Sequence, residues 1–140
     1  MESNNSDIIQ DIEKRFLPHI ERMAEEIPQE FPLVKTNVWS WSVGSSTTFQ
    51  GHDIGLECFL PEVSPDQTNI VMLIIETMHL TTVPKITAVD VCWNDGSLEE
   101  ELFSQPVGIT EKVFKKIELG LPRMYNCLKE SIRRGYPSKP

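Results

Sequence analysis

The sequence predicts an α+β domain in which an antiparallel sheet is flanked by two amphipathic helices, in the order helix, strands, helix. Three observations carry this prediction. Apolar residues recur at helical spacing near both ends of the chain, short alternating or β-branched runs fill the middle, and turn residues separate those runs. A chain of 140 residues can bury a core of its own, so we expect one domain over 1–140, with loose tails at 1–6 and 136–140.

The first helix is predicted over residues 7–27. Several isoleucines, Phe16 and Met23 recur there every three or four residues, which places them on one face. Pro18 has no amide hydrogen to donate, so we expect it to kink or divide the helix. Pro28 is expected to end it.

The second helix is predicted over residues 111–134. Thr110 is a candidate N-cap, and Gly135 is a good C-terminal stop because glycine adopts the left-handed conformation that ends many helices. Gly120 and Pro122 interrupt the apolar stripe. We therefore expect a bend there, or two helices that meet.

Four strands are predicted between the helices, with a further element left open. The central pair, near 70–78 and 85–93, is apolar on both sides, whereas 34–43 and 52–60 alternate. Short loops between consecutive strands favour an antiparallel meander. Residues 97–103 suit either a fifth, edge strand or a short helix.

Strands that are apolar on both sides are usually covered on both sides. Alternation places five apolar residues together on one face of the central pair. They are here called the residual apolar set: Met72, Ile74, Met78, Ile86 and Ala88. If both helices pack on the opposite face, this set needs a partner or a second copy of the chain. If the helices divide between the faces, a monomer is complete. The sequence leaves both arrangements open, and with them a homodimer.

The net charge of −8 is unevenly distributed. Residues 33–104 hold ten acids and two bases, whereas residues 105–140 hold three acids and eight bases. An anionic strand region repels phosphate backbones and is complementary to a basic protein, so we expect a protein partner and no nucleic acid. No apolar run approaches the ~20 residues of a membrane span. Three widely spaced cysteines favour a reducing, cytoplasmic location.

Catalytic and metal chemistry have little support. His52 and Asp53 are adjacent, but neighbours along a strand point to opposite faces, and Cys58 lies ~20 Å further along the strand. The other histidines, His19 and His79, complete no metal-ligand spacing with His52. The chain has no phosphate-binding loop, no nucleophile elbow and no C-x-x-C pair. We predict no cofactor and no metal.

Carboxylates within the strands are the most informative polar residues. Glu57, Glu76 and Asp90 lie on the less apolar side of their strands, so they converge if those strands are neighbours. Such a group can bind a cation, perform acid–base chemistry or bind a basic partner, or else it pairs with the basic C-terminal helix, which requires no ligand. Trp39 and Trp41 suit either a core or an interface.

These features favour a non-catalytic module that holds a basic or unfolded protein partner. Its candidate contacts are two tryptophans and six acids: Trp39, Trp41, Glu57, Glu76, Asp90, Glu99, Glu100 and Glu101. An immunity protein for a toxin and a small secretion chaperone are two roles that suit such a unit, by analogy of composition and architecture alone. The alternative is a small-ligand-binding protein or hydrolase with a pocket between helices and sheet, lined by His52, Glu57, Glu76 or Asp90.

Overall fold

The predicted order of helix, strands and helix is confirmed. The computed structural model of the chain describes residues 5–44, 49–61, 69–80 and 83–138. Helix α1 covers Asn5–Glu30 and helix α2 covers Glu111–Arg134. Between them the described residues form six strands: β1 (Lys35–Gly44), β2 (Phe49–Phe59), β3 (Ile70–Leu80), β4 (Val83–Trp93), β5 (Leu98–Glu101) and β6 (Val107–Gly108). The tails predicted at 1–6 and 136–140 fall partly outside the described residues.

Each helix is a single element despite the residues expected to break it. α1 passes through Pro18 and Pro28 and ends at Glu30, and α2 passes through Gly120 and Pro122. The expected end at Pro28 and a division at either interruption are therefore wrong. A proline inside a helix costs about 3 kcal/mol. Each helix buries apolar side chains along most of its length, and packing of this kind supplies most helical stability in proteins.

The ends of α2 follow the local chemistry of the sequence. Thr110 is extended, and its hydroxyl accepts a hydrogen bond from the Val113 amide at 3.2 Å. Gly135 is left-handed with φ of 84°, and its amide donates to the Ser131 carbonyl at 2.9 Å. The predicted N-cap and C-terminal stop are thus confirmed. Neither helix in the described ranges carries an apolar stretch long enough to cross a lipid bilayer.

The strands form an antiparallel meander in the order β1-β2-β3-β4-β5. The segment that the sequence left undecided forms the edge strand β5. Strand β6 also pairs with β4, through residues 85 and 86, while β5 pairs with residues 90–92. With two residues, β6 is too short to give a periodic signal in the sequence.

Both helices pack on the same face of the sheet, here called the helix face. α1 lies on β1 and β2, α2 lies on β3, β4 and β5, and the helices contact each other. At this seam the rings of Phe16 and Phe114 meet edge to face at 5.3 Å, and Arg15 donates to Glu111 at 2.8 Å and to Glu118 at 2.7 Å. The strand residues of the helix face form the core: Ile54, Leu56, Cys58, Val71, Leu73, Ile75, Ile86, Val89, Val91 and Trp93.

Ile86 departs from the predicted alternation. Alternation assigns Ile86 to the residual apolar set, yet its side chain is fully buried on the helix face. A register shift pairs Glu76 with Ala88 and Thr77 with Ile86, so Thr87 is an extra residue in β4. One extra residue reverses the side on which the next side chain points. The hydroxyl of Thr87 donates to the Glu76 carboxylate at 2.7 Å and so fills the bulge.

Candidate functional site

The face of the sheet turned away from both helices is here called the open face. Cross-strand register places on it an apolar set: Trp39, Trp41, Met72, Ile74, Met78 and Ala88. The same register adds five acids and two lysines: Asp53, Glu57, Glu76, Asp90, Glu101, Lys35 and Lys85. Most of these side chains are half-buried or exposed. The open face therefore combines apolar surface with a net negative charge.

Three carboxylates cross the middle of the open face and are here called the acidic row: Asp53, Glu76 and Asp90. Asp53 and Glu76 stand directly opposite each other on β2 and β3, and Asp90 on β4 is the diagonal neighbour of Glu76. Burial, followed by the charge of Glu76, raises the pKa of Asp53 to about 6. Burial, followed by the charges of Glu101 and Glu76, raises the pKa of Asp90 to about 6. Like charges in such positions destabilise a sheet.

No basic side chain of the described ranges forms an ion pair with the acidic row. The bases of α2 lie on the other side of the sheet, where Arg133 contacts Glu30 at 2.8 Å and Arg134 contacts Glu99 at 2.9 Å. Pairing of the strand acids with the basic C-terminal helix, weighed from the sequence, is therefore not what these residues do. The sheet itself separates the two sets of charges.

Six of the eight predicted contact residues share the open face: Trp39, Trp41, Glu57, Glu76, Asp90 and Glu101. The other two are turned away from it. Glu99 is the extra residue of a bulge in β5, and it accepts a hydrogen bond from the Trp93 indole at 2.9 Å besides pairing with Arg134. Glu100 lies 3.9 Å from Arg123 of α2. These two acids are engaged within the protein.

Asp53 belongs to the open face, as its alternation with Glu57 predicts, although it is not among the candidate contacts predicted from the sequence. It shares the alternation of Glu57 along β2, and that spacing is the signal in the sequence that identifies it. Trp41 of β1 stands opposite Asp53 and is 58% exposed. The ring of Trp39 lies over Gly55, where an added Cβ would come within 2.2 Å of the ring. Both tryptophans thus flank the acidic row.

A polar cluster on the helix face surrounds His52, which is buried. The Ser40 hydroxyl lies 3.0 Å from His52 Nε2 and donates to the Glu13 carboxylate at 2.7 Å, and the same carboxylate oxygen lies 3.2 Å from Nε2. Burial lowers the pKa of His52 against the opposing effect of Glu13. A catalytic triad holds the serine and the acid on different ring nitrogens. Here both contact Nε2, so the cluster lacks the geometry that activates a serine.

The remaining candidates for chemistry are the cysteines and the possible metal ligands. Burial, then the charge of Glu57, raises the pKa of Cys58 to about 12, and burial, then the charge of Asp90, raises that of Cys92 to about 11. Neither thiol forms the reactive thiolate at neutral pH. Within the described ranges, no three His, Cys, Asp or Glu side chains are placed to hold one metal ion. The side chain of His79 lies outside the described residues.

Three surface depressions flank α1, with volumes of about 410, 410 and 330 Å³. Two lie near the seam with α2, and one lies between α1 and β1. None of these three is lined by the residues proposed for a ligand pocket: His52, Glu57, Glu76 and Asp90. The carboxylates of the open face therefore belong to a sheet surface and to none of these depressions.

Comparison with other proteins adds no assignment. No protein-family model matches the chain, and no significant match was found among curated proteins or solved structures. The open face is therefore the feature of the molecule from which a function can be inferred.

Proposed function

We propose that the protein is a non-catalytic protein-binding module that holds a basic protein partner on its open face. The observation that carries this proposal is the acidic row, in which three carboxylates stand together without an ion pair in the described chain. The arrangement is unfavourable in the free protein, because burial and the charge of Glu76 disfavour the charged forms of Asp53 and Asp90. Lysine or arginine side chains of a partner would remove that cost.

The surroundings of the acidic row support a protein partner over a small cation. Trp41 and Met78 are exposed, and Met72 and Ile74 are half-buried beside the carboxylates. Aromatic and methionine side chains are enriched at protein interfaces, and the face of a tryptophan attracts a neighbouring cation. A sheet surface with both features fits a partner that presents basic and apolar side chains together.

A second copy of the chain is a poor occupant of the open face at neutral pH. In a two-fold interface the same patch meets itself, so each acidic row would lie against another acidic row. Like charges across an interface oppose association. The homodimer considered from the sequence is thus disfavoured through this face, and a partner of opposite charge is favoured.

Quantitative capture from a lysate of the source cells tests the proposal. The immobilised wild-type protein is compared with two triple variants that each change the net charge by three. The open-face variant is Asp53→Asn, Glu76→Gln, Asp90→Asn. The matched control neutralises three exposed helix acids: Asp11→Asn, Glu26→Gln, Glu130→Gln.

We expect a basic protein to be retained by the wild type and by the control, and to be lost from the open-face variant. Its affinity should fall as salt is added, because salt screens pairs between exposed charges. Losing three charges from one interface should weaken binding by at least ~tenfold. Equal retention by both variants would show that the acidic row is not the binding surface.

A further inference from the structure

The two edges of the sheet differ in how they are protected. Within the described residues β1 pairs only with β2, so alternate amides and carbonyls of Lys35–Gly44 point away from the sheet. β1 has ten residues, no proline, and one charged residue, Lys35, at its start. The opposite edge is divided between β5 and β6, of four and two residues, with Pro106 between them. Short, interrupted edges prevent the addition of a further strand, and β1 lacks that protection.

A groove lies beside the β1 edge, between this strand and α1. Leu17, Ala24 and Val38 give it apolar walls, and the exposed acids Glu21 and Glu25 line it from α1. Its volume is about 410 Å³. Neither of the two acids forms an ion pair with a described residue. The groove therefore offers apolar contact and negative charge next to backbone groups of β1 that no other described strand pairs.

We propose that β1 receives an extended, basic segment of the partner protein as an added strand. The inference rests on the proposed function and specifies how the same partner is held. An added strand lies ~4.8 Å from β1, and its side chains alternate between the two sides of the sheet. Those on one side enter the groove, where basic groups meet Glu21 and Glu25. Those on the other side lie beside Trp41 and extend toward the acidic row.

Charge favours this occupant over a second copy of the chain. Two-fold pairing of β1 with β1 of another copy would set the two α1 helices side by side across the new strand pair. Glu21 and Glu25 of one copy would then approach the same acids of the other, and like charges across an interface oppose association. A basic strand has the complementary charge on both sides.

The test is a titration of the isotope-labelled full-length protein with a blocked seven-residue peptide, followed by amide chemical shifts. The peptide alternates pairs of lysine and valine, so both sides of its extended form carry bases. Each of two control peptides carries methyl groups on alternate backbone nitrogens and keeps the same charge. The first is methylated on the odd-numbered nitrogens and the second on the even-numbered nitrogens, so only one of them loses the hydrogen bonds to β1. We expect shift changes to concentrate on the amides of β1 and on Glu21 and Glu25. Since methylation of the nitrogens that face β1 removes several hydrogen bonds, one methylated peptide should bind at least ~tenfold more weakly than the other.

Charge variants give a second readout. Glu21→Gln with Glu25→Gln should weaken the unmodified peptide several-fold, whereas the matched pair Glu26→Gln with Glu130→Gln should not. Equal binding of all three peptides, shifts confined to β3 and β4, or no shifts at millimolar peptide would each overturn strand addition. Of these, shifts confined to β3 and β4 would leave the open face as the binding surface. Loss of the proposed function itself is detected separately, by the capture experiment with the open-face variant.

Discussion

The two faces of one sheet differ in how their polar groups are satisfied. On the helix face, alternate strand residues are apolar and fully buried, and the buried His52 lies within contact of Ser40 and Glu13. On the open face, the same strands place Asp53 beside Glu76 with no cation from the described chain to separate them. The helix face thus accounts for the stability of the fold. The open face holds a charge pattern that stability does not explain, and such a pattern is typical of a surface that binds a partner.

Two neighbouring isoleucines on β3 should show the largest difference in stability between the two faces of the sheet. Ile75 is fully buried on the helix face, whereas Ile74 is half-buried on the open face. Ile75→Ala should lower the free energy of unfolding by about 2–5 kcal/mol, because it leaves a cavity in the core. Ile74→Ala should cost about 1 kcal/mol, because less apolar area leaves water there on folding. Urea denaturation of the two variants measures both values. Similar losses would mean that the open face is covered in solution, for instance by a second copy.

Replacing Asp53 by asparagine should have a smaller effect on the free energy of unfolding, and one of opposite sign. Its pKa is raised to about 6 in the folded protein, so the folded state binds a proton more readily than the unfolded chain. The charged carboxylate therefore destabilises the fold above pH 6, and protonation removes this cost as the pH falls toward 4. Asp53→Asn should raise the free energy of unfolding by about 1 kcal/mol at pH 7.5, a value reduced for partial exposure to solvent.

The advantage of Asp53→Asn over the wild type should shrink as the pH falls to 5. The difference between the two proteins is the informative quantity, because His52 works in the opposite direction. Its pKa is lowered by burial, so the stability that it contributes above pH 6.5 is lost as the pH falls below that value. The exposed Glu130→Gln should change stability by less than ~0.5 kcal/mol at any of these pH values. A destabilising Asp53→Asn would show that its carboxylate makes a favourable contact.

Local sequence chemistry predicted much of this fold. Thr110 and Gly135 mark the ends of α2 because a hydroxyl cap and a left-handed glycine are local devices. Alternation along β2 and β3 likewise predicted that Glu57 and Glu76 share a face. These predictions succeed because each depends on a few neighbouring residues.

The remaining features depend on tertiary packing or on single-residue irregularities. An extra residue at Thr87 carries Ile86 into the core, and another at Glu99 directs that acid toward Arg134. Neither bulge has a signal in the sequence, because alternation assumes an unbroken register. The choice of one face by both helices is likewise a property of the assembled core. It leaves the acidic row open, and no strand pattern alone contains that information.

The most direct test of the account is the pH dependence of partner binding. The affinity of the captured partner is measured for the wild type and for the control variant between pH 7.5 and 5. Protonation of Asp53 and Asp90 near pH 6 should remove attraction for a basic partner, so the affinity should fall by about tenfold or more across this range. An affinity that is unchanged or tighter at pH 5 would contradict the central claim that the charged acidic row holds the partner.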